Sequence, residues 1–340
     1  MRRISSLSLF IVFALLLSPS LAVAGEITLS SGEVISIQEI NSSPADWSEE
    51  DHFKASMALP PPLPPIKDAP PVKLQEQPPA GPPVSWPAFN PSQEARPELE
   101  GSAHLNAAAA CPASDYDWGW VGDHNEYPFR VVGKLQSRGW LGYYQCSASL
   151  IGPRMVITAA HCVASGRGGW YSDFVFAPAY KDGNFPYGWF GVQKVWVFRS
   201  YFERGDLTRD VAVLILNEPI GESIGHLGFI AGKDPNTLTW SAIGYPARPG
   251  ERGEPFDGSD QVWSRARMGY RLTAVGSPAQ LAAGTCMTNG SSGGPWVLWD
   301  EMQVNGIVSL GKLYGCPFSF STPEFDSVVG EMVQKARDEQ

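Results

Sequence analysis

The sequence predicts an all-β domain of barrel or sandwich type, ended by one C-terminal helix and preceded by a disordered, proline-rich segment. From about Tyr116 onward the chain is rich in Trp, Tyr, Val and Gly, and short apolar or alternating runs recur there with turn residues between them. Only the last stretch repeats its apolar residues at helical spacing.

In chain order the strand-like runs are Phe129 to Leu135, Tyr143 to Ile151, Met155 to Ala159, Asp173 to Ala177, Val192 to Phe198 and Val211 to Leu216. They continue with Leu238 to Ile243, Val262 to Leu272, Trp296 to Trp299 and Gln303 to Leu310. Residues 116–340 are enough for one or two domains' worth of core. At the end, Phe325, Val328, Val329, Met332, Val333 and Ala336 follow i, i+3, i+4 spacing behind Thr322-Pro323. Pro323 is therefore expected to start the helix, with Glu324 at its positive end.

Ahead of that domain lies a different composition. Arg2-Arg3, the apolar run Leu9 to Leu17, a Ser-Pro break and Ala22-Val23-Ala24 before Gly25 mark residues 1–24 as a secretory signal peptide. The run is well short of the roughly 20 residues that span a bilayer, and no later stretch is long enough either. An exported chain, secreted or periplasmic, is expected. Without Arg2 and Arg3, 23 basic residues stand against 35 acidic, so the formal charge moves from −10 to −12. That sign disfavours nucleic acid as a partner. Residues 25–115 read as a propeptide or proline-rich linker, largely disordered, since 14 of the 30 prolines fall between Pro60 and Pro97. Gly25 to about Leu59 reads as a small inhibitory or chaperoning piece, or as part of a linker with no activity.

The chemistry concentrates in Gly284-Thr285-Cys286-Met287-Thr288-Asn289-Gly290-Ser291-Ser292-Gly293-Gly294-Pro295. A hydroxyl nucleophile needs a tight turn that exposes its oxygen and leaves backbone N–H groups facing the charge that develops on the attacked carbonyl. The glycines supply such a turn around Ser292, with the N–H groups of Gly290 and Ser292 as an oxyanion hole. A serine also needs a base, and the base needs a carboxylate to fix its tautomer. Of five histidines, His52 and His104 lie in the spacer, and His124 and His226 sit in polar or Gly-rich surroundings that suit the surface. His161 follows the strand Met155-Val156-Ile157-Thr158 behind two small alanines. Asp210 opens the apolar run Val211 to Leu216, where an acid is costly to bury unless paired. Asp206 is the competing carboxylate, in a Gly-Asp turn that looks solvated.

Thr158-Ala159-Ala160-His161-Cys162, Asp210-Val211-Ala212-Val213-Leu214 and Gly290-Ser291-Ser292-Gly293-Gly294-Pro295 stand in that order. Together they resemble the three catalytic motifs of the trypsin/chymotrypsin family of serine endopeptidases. Cys146-Ser147-Ala148-Ser149-Leu150-Ile151 and Gly306-Ile307-Val308-Ser309-Leu310-Gly311 add to the similarity, which covers about Tyr127 to Lys335. Tyr127-Pro128, Leu150-Ile151-Gly152-Pro153-Arg154 and Gly244-Tyr245-Pro246 are closer to the bacterial glutamyl-endopeptidase branch than to digestive trypsins. The resemblance implies two six-stranded antiparallel β-barrels with the active site between them.

It also implies Ser292 as nucleophile, His161 as general acid/base and Asp210 as orienting carboxylate. Ser309 would support Asp210 and offer its carbonyl to substrate, Gly311 would pair with the substrate backbone, and Val308 would line the primary pocket. It implies disulfides Cys146–Cys162 and Cys286–Cys316, and leaves Cys111 lost on processing, free, or paired with another chain. One departure is Ser291, where trypsin-like zymogens carry an Asp that pairs with a newly freed N-terminus. Activation through that ion pair is therefore not expected. No cysteine or histidine cluster beyond His161-Cys162 has metal-ligand spacing, so neither a metal nor another cofactor is expected.

The resemblance implies an exported serine endopeptidase made as a precursor, acting as a monomer on protein or peptide substrates. The alternative is a catalytically silent fold of the same kind that binds a partner. Gly284 to Asn289 contains no acid to receive Arg or Lys, and Val308 stands where the glutamate-specific branch has a histidine. An uncharged, apolar or small residue before the cut bond is expected, with Val308, Met287 and Phe320 as lining. Glu324 reads as a pocket wall or as the acid at the start of the last helix.

Overall fold

The computed structural model describes residues 25–56, 58, 84–92, 116–140, 142–233, 238–272, 280–311 and 319–340. The expected leader, most of the proline-rich stretch, His104, Cys111 and Cys316 lie outside those residues.

Seventeen strands and four α-helices are present among the described residues. The strands before the core are β1 (Gly25–Thr28), β2 (Val34–Glu39), β3 (Val84–Trp86) and β4 (Asp117–Trp120). The next six are β5 (Val132–Gly139), β6 (Gly142–Leu150), β7 (Met155–Thr158), β8 (Ser172–Pro178), β9 (Phe190–Phe198) and β10 (Ala212–Leu216). Then follow β11 (Gly228–Ala231), β12 (Thr239–Gly244), β13 (Val262–Leu272), β14 (Gln280–Gly284), β15 (Pro295–Leu298), β16 (Gln303–Ile307) and β17 (Ser319–Pro323). The helices are α1 (Glu49–Ser56), α2 (Arg199–Arg204), α3 (Gly221–Ile224) and α4 (Ser327–Asp338).

The first barrel runs β9-β10-β7-β6-β5-β8, and pairing of β8 with β9 closes it. Its walls are buried on both faces, which is why Ala212-Val213-Leu214-Ile215-Leu216 is uninterrupted apolar sequence rather than an alternation. The second sheet runs β17-β14-β13-β12-β15-β16 and continues into β11 and β3. It is drawn round by Ser309 N–H donating to Ser321 O at 2.8 Å and Ser321 N–H donating to Leu310 O at 2.7 Å. β4 pairs with β13 outside this path. Two six-stranded antiparallel barrels, as expected, therefore stand side by side.

Three expectations need correction. Phe129–Val131 forms a 3-10 turn ahead of β5 rather than strand. Pro323 ends β17, and the last helix begins at Ser327, because Asp326 accepts the N–H groups of Val328 and Val329 at 3.0 and 2.9 Å and so caps it. Glu324 thus lies in the connection, not in the helix's first turn.

Of the stretch read as a propeptide or proline-rich linker, the described residues pair and pack with both sheets. β1 and β2 form a hairpin laid on β9, with Ile35 opposite Phe198 and Ile37 opposite Trp196. Leu29, Ile35 and Ile37 are buried in the main core. Beyond β2, Ser42 Oγ donates to Phe174 O at 2.6 Å, and His52 on α1 is buried with Nδ1 2.7 Å from Gln136 Oε1. β3 pairs with β11 in the second sheet, and Trp86 Nε1 donates to Ile151 O at 2.8 Å. The physical signal was the β-branched run Val34-Ile35-Ser36-Ile37, which precedes the prolines.

Candidate active site

The register of the first barrel brings His161 and Asp210 together. β7 and β10 are antiparallel with Thr158 opposite Ala212, so the residues just after Thr158 and just before Ala212 emerge at the same end. A 3-10 turn over Ala160–Cys162 carries His161 there, and another over Leu207–Arg209 delivers Asp210. Asp210 is 0% exposed and His161 1%. Asp210 Oδ2 accepts from His161 Nδ1 at 2.8 Å, and Oδ1 accepts the His161 backbone N–H at 2.8 Å. Ser309 Oγ adds a donor to Oδ2 at 2.6 Å. Three donors satisfy a carboxylate that would otherwise be costly to bury. With Nδ1 held by Asp210 as a donor, the lone pair of the ring resides on Nε2. That atom is buried and has no hydrogen-bond partner among the described residues.

Ser292 sits on the turn between β14 and β15 and is 5% exposed. Ser291 N–H donates to Thr288 O at 3.1 Å and Gly294 N–H to Ser291 O at 2.9 Å, which folds the chain back on itself twice. Gly290 and Gly293 hold φ of 99° and 81°, a region open to glycine at little cost. A Cβ on Gly290 would meet Tyr245 O at 2.6 Å, and one on Gly293 would collide with Thr158 Oγ1 and Ser147 O. The backbone N–H groups of Gly290 and Ser292 donate to nothing among the described residues.

The first barrel grips this turn through Ser147 on β6. Its N–H donates to Ser292 O at 2.7 Å and its Oγ to Gly290 O at 3.0 Å, while Tyr245 N–H donates to the same Oγ at 2.9 Å. Thr158 Oγ1 in turn donates to Ser147 O at 2.9 Å. Sequence reasoning gave Ser147 and Thr158 no role; for Thr158 the available signal was a polar side chain at the end of an apolar strand, while Ser147 stands among other polar residues of β6.

Among the remaining predicted residues, Val308 is fully buried and Gly311 bridges to Phe320. The Phe320 ring lies where a side chain on Gly311 would be, 2.5 Å from an added Cβ. Val308, Met287 and Phe320 share one apolar cluster with Tyr116 and Cys286. Asp206 does not reach His161: it caps the turn before Asp210 by accepting from Thr208 N at 3.1 Å and Thr208 Oγ1 at 2.6 Å. His124, expected at the surface, is 3% exposed and bonded to Asp260 at 2.5 Å and Tyr180 O at 3.0 Å. His226 is half-buried.

Cys146 and Cys162 form the expected disulfide. Cys286 is a buried free thiol, and its expected partner Cys316 lies outside the described residues. The Cys286 side chain is drawn into the second barrel's apolar cluster, and burial pushes the thiol well above its ordinary range. Cys146, His161 and Cys162 are close enough to suggest a metal centre, but the disulfide leaves neither sulfur as a thiolate ligand. No helix among the described residues is long and apolar enough to cross a membrane.

Two barrels that meet at a buried imidazole–carboxylate pair and a serine elbow define the trypsin-like class of double-barrel protein. A family model described as Trypsin matches residues 119–323, more than half of the sequence, and the chain belongs to the trypsin family. Two curated proteins align with it. One is named Extracellular metalloprotease, from Bacillus subtilis (strain 168), 27% identical over 37% of this chain and 42% of its own. The other is named Glutamyl endopeptidase, from Bacillus licheniformis, 25% identical over 37% of this chain and 38% of its own. The chain thus spans about two fifths of the length of each. The crystal structure of protease Anisep from Arthrobacter nicotinovorans superposes with a TM-score of 0.53 at 25% identity, over 62% of this chain and 97% of that one.

Proposed function

We propose that the chain is an exported serine endopeptidase in which Ser292, His161 and Asp210 act as a unit. The observation that carries the reading is the imidazole of His161, locked through Nδ1 by a carboxylate that is itself fully hydrogen-bonded, with Nε2 buried and without a hydrogen-bond partner among the described residues. In this reading Nε2 takes the proton of Ser292 Oγ as that oxygen attacks the carbonyl carbon of the scissile amide. The oxyanion so formed accepts from the N–H groups of Gly290 and Ser292. Collapse expels the amine, protonated by His161, and leaves an acyl-serine. Water deprotonated by the same imidazole then releases the acid. Asp210 orients the ring and stabilises it while it is charged.

The leader-like residues 1–24 and the disulfide support action outside the cytoplasm. The elbow forms without an acid before the nucleophile: Ser291 Oγ donates to Thr288 O at 2.6 Å, a contact that needs no freed N-terminus. For substrate, the Phe320 ring against Gly311 and the buried Val308 favour a small or apolar uncharged residue before the cut bond. The name of the Bacillus licheniformis relative motivates glutamate as a second specificity, although Val308 offers no proton or charge to hold it.

Incubating the purified protein with casein and with a mixed peptide library tests both levels. Hydrolysis lost on Ser292→Ala is the expected result, and binding without turnover would return the silent-fold alternative. Dominant cleavage after Glu, Arg or Lys would reject the pocket reading.

A further inference from the structure

The residue that precedes Asp210 is held by the part of the chain that sequence reasoning set aside. Arg209 is 2% exposed, and its guanidinium is clamped from three sides. Glu33, at the end of the turn between β1 and β2, accepts from Nη2 at 2.6 Å and from Nε at 2.9 Å. Asp326, the cap of α4, accepts from Nη1 at 3.0 Å. The Phe198 ring lies 5.0 Å from Cζ, on the strand that β2 pairs with. The β1–β2 turn is tight, with Leu29 N–H donating to Glu33 O at 2.8 Å and Gly32 at φ 85°, so the direction of Glu33 is fixed by backbone as well as by charge.

Arg209 is also the last residue of the 3-10 turn that aims Asp210. Val211 N–H donates to Arg209 O at 2.8 Å, and Arg209 N–H donates to Asp206 O at 2.9 Å. The guanidinium therefore anchors the one turn of backbone on which the carboxylate of the His161 pair is mounted. A buried cation that loses one of two carboxylates must move toward the other or toward water. Either movement is passed to Asp210 through one peptide unit.

Resting on the serine peptidase reading above, we propose that Glu33 is a positioning residue for that reaction. It acts through Arg209 on Asp210, and residues 25–56 are consequently a working part of the enzyme rather than a discarded propeptide. The trypsin family match begins at residue 119, so residues 25–56 lie outside it.

The test compares Glu33→Gln, Glu33→Asp and Ser30→Ala in the full-length exported protein. Ser30 contacts Glu331 on α4 from the same turn, at 3.0 Å from its backbone N and 2.5 Å from its Oγ, and does not touch Arg209. Ser30→Ala therefore loosens the strap without altering the charge at Arg209. Glu33→Gln keeps the shape and removes the charge. It should lower kcat about tenfold with KM little changed, the equivalent of about 1.4 kcal/mol in the barrier. Its acidic limb in kcat/KM should move to lower pH by about half a unit, because added net positive charge beside Asp210 disfavours the imidazolium. Glu33→Asp should restore the limb, and Ser30→Ala should lower thermal stability with the limb unmoved. Intact mass of the fluorophosphonate-labelled protein should include residues 25–56. Turnover with an unmoved limb in Glu33→Gln, or a labelled active species lacking residues 25–56, overturns the proposal alone. No turnover by the parent protein overturns the peptidase reading and the proposal with it.

Discussion

Removing the Ser309 hydroxyl tests how much the buried carboxylate depends on its third donor. Ser309 is 1% exposed and its Oγ donates to Asp210 Oδ2 at 2.6 Å, the same oxygen that holds His161 Nδ1. In Ser309→Ala no water has obvious access to a carboxylate that is 0% exposed, so the lost bond is not replaced. A hydrogen bond to a charged group contributes about 1.5–3 kcal/mol. At roughly 2–4 °C per kcal/mol for a domain of this class, the melting temperature should fall by about 3–12 °C. The carboxylate then keeps only the two donors of His161, one on each oxygen, which loosens its hold on the imidazole, and kcat should fall by about tenfold with KM little changed. Differential scanning calorimetry and steady-state hydrolysis of a peptide ester, run on the same preparation, measure both. Parent-like melting together with parent-like kcat would refute the role given to Ser309.

Ser292→Ala should abolish hydrolysis by a factor on the order of 10⁶ in kcat while leaving the melting temperature nearly unchanged, since the elbow is set by its glycines. Asp210→Asn should lower kcat by roughly 10⁴ through the wrong tautomer; if Asp206→Asn were the more damaging of the two, the carboxylate has been misassigned. Lys134 on β5 is 1% exposed, with its ammonium 4.1 Å from the centre of the Tyr180 ring, and burial brings it down to about 7 from 10.5. Above about pH 7 the unfolded chain binds this proton and the folded chain does not, so stability should rise with pH by about 1.4 kcal/mol per unit. Chemical denaturation between about pH 7 and 8.5 should show that slope in the parent and a flatter one in Lys134→Met; equal slopes would count against it.

The barrels were legible because their walls are apolar runs punctuated by turn residues, and β6, β7, β9, β10, β12, β13, β15 and β16 coincide with runs read from sequence. β14 and β17 escaped for a physical reason: Gln280-Leu281-Ala282-Ala283-Gly284 carries helix-favouring residues, and Ser319-Phe320-Ser321-Thr322-Pro323 is mostly hydroxyls that become buried only in the closed second sheet. The three motif residues could be picked out because their neighbours announce the geometry, two alanines before His161 and a core strand after Asp210. Arg209 could not, since nothing local says that a basic residue on a short turn will be buried between Glu33 and Asp326, which lie far apart in sequence. Cys286 shows the converse limit. The family resemblance implied a bridge to Cys316, which lies outside the described residues, and nothing local says that the packing of the second barrel takes the Cys286 side chain into its core.

The assignment of Ser292 is tested most directly by labelling the native protein with a fluorophosphonate and mapping the adduct by peptide mass spectrometry. One adduct on Ser292 is the predicted result, formed at a rate that falls on acidification and strongly reduced in Asp210→Asn. An adduct on Ser291, or none on a folded protein whose Cys146–Cys162 bridge is intact, would contradict it.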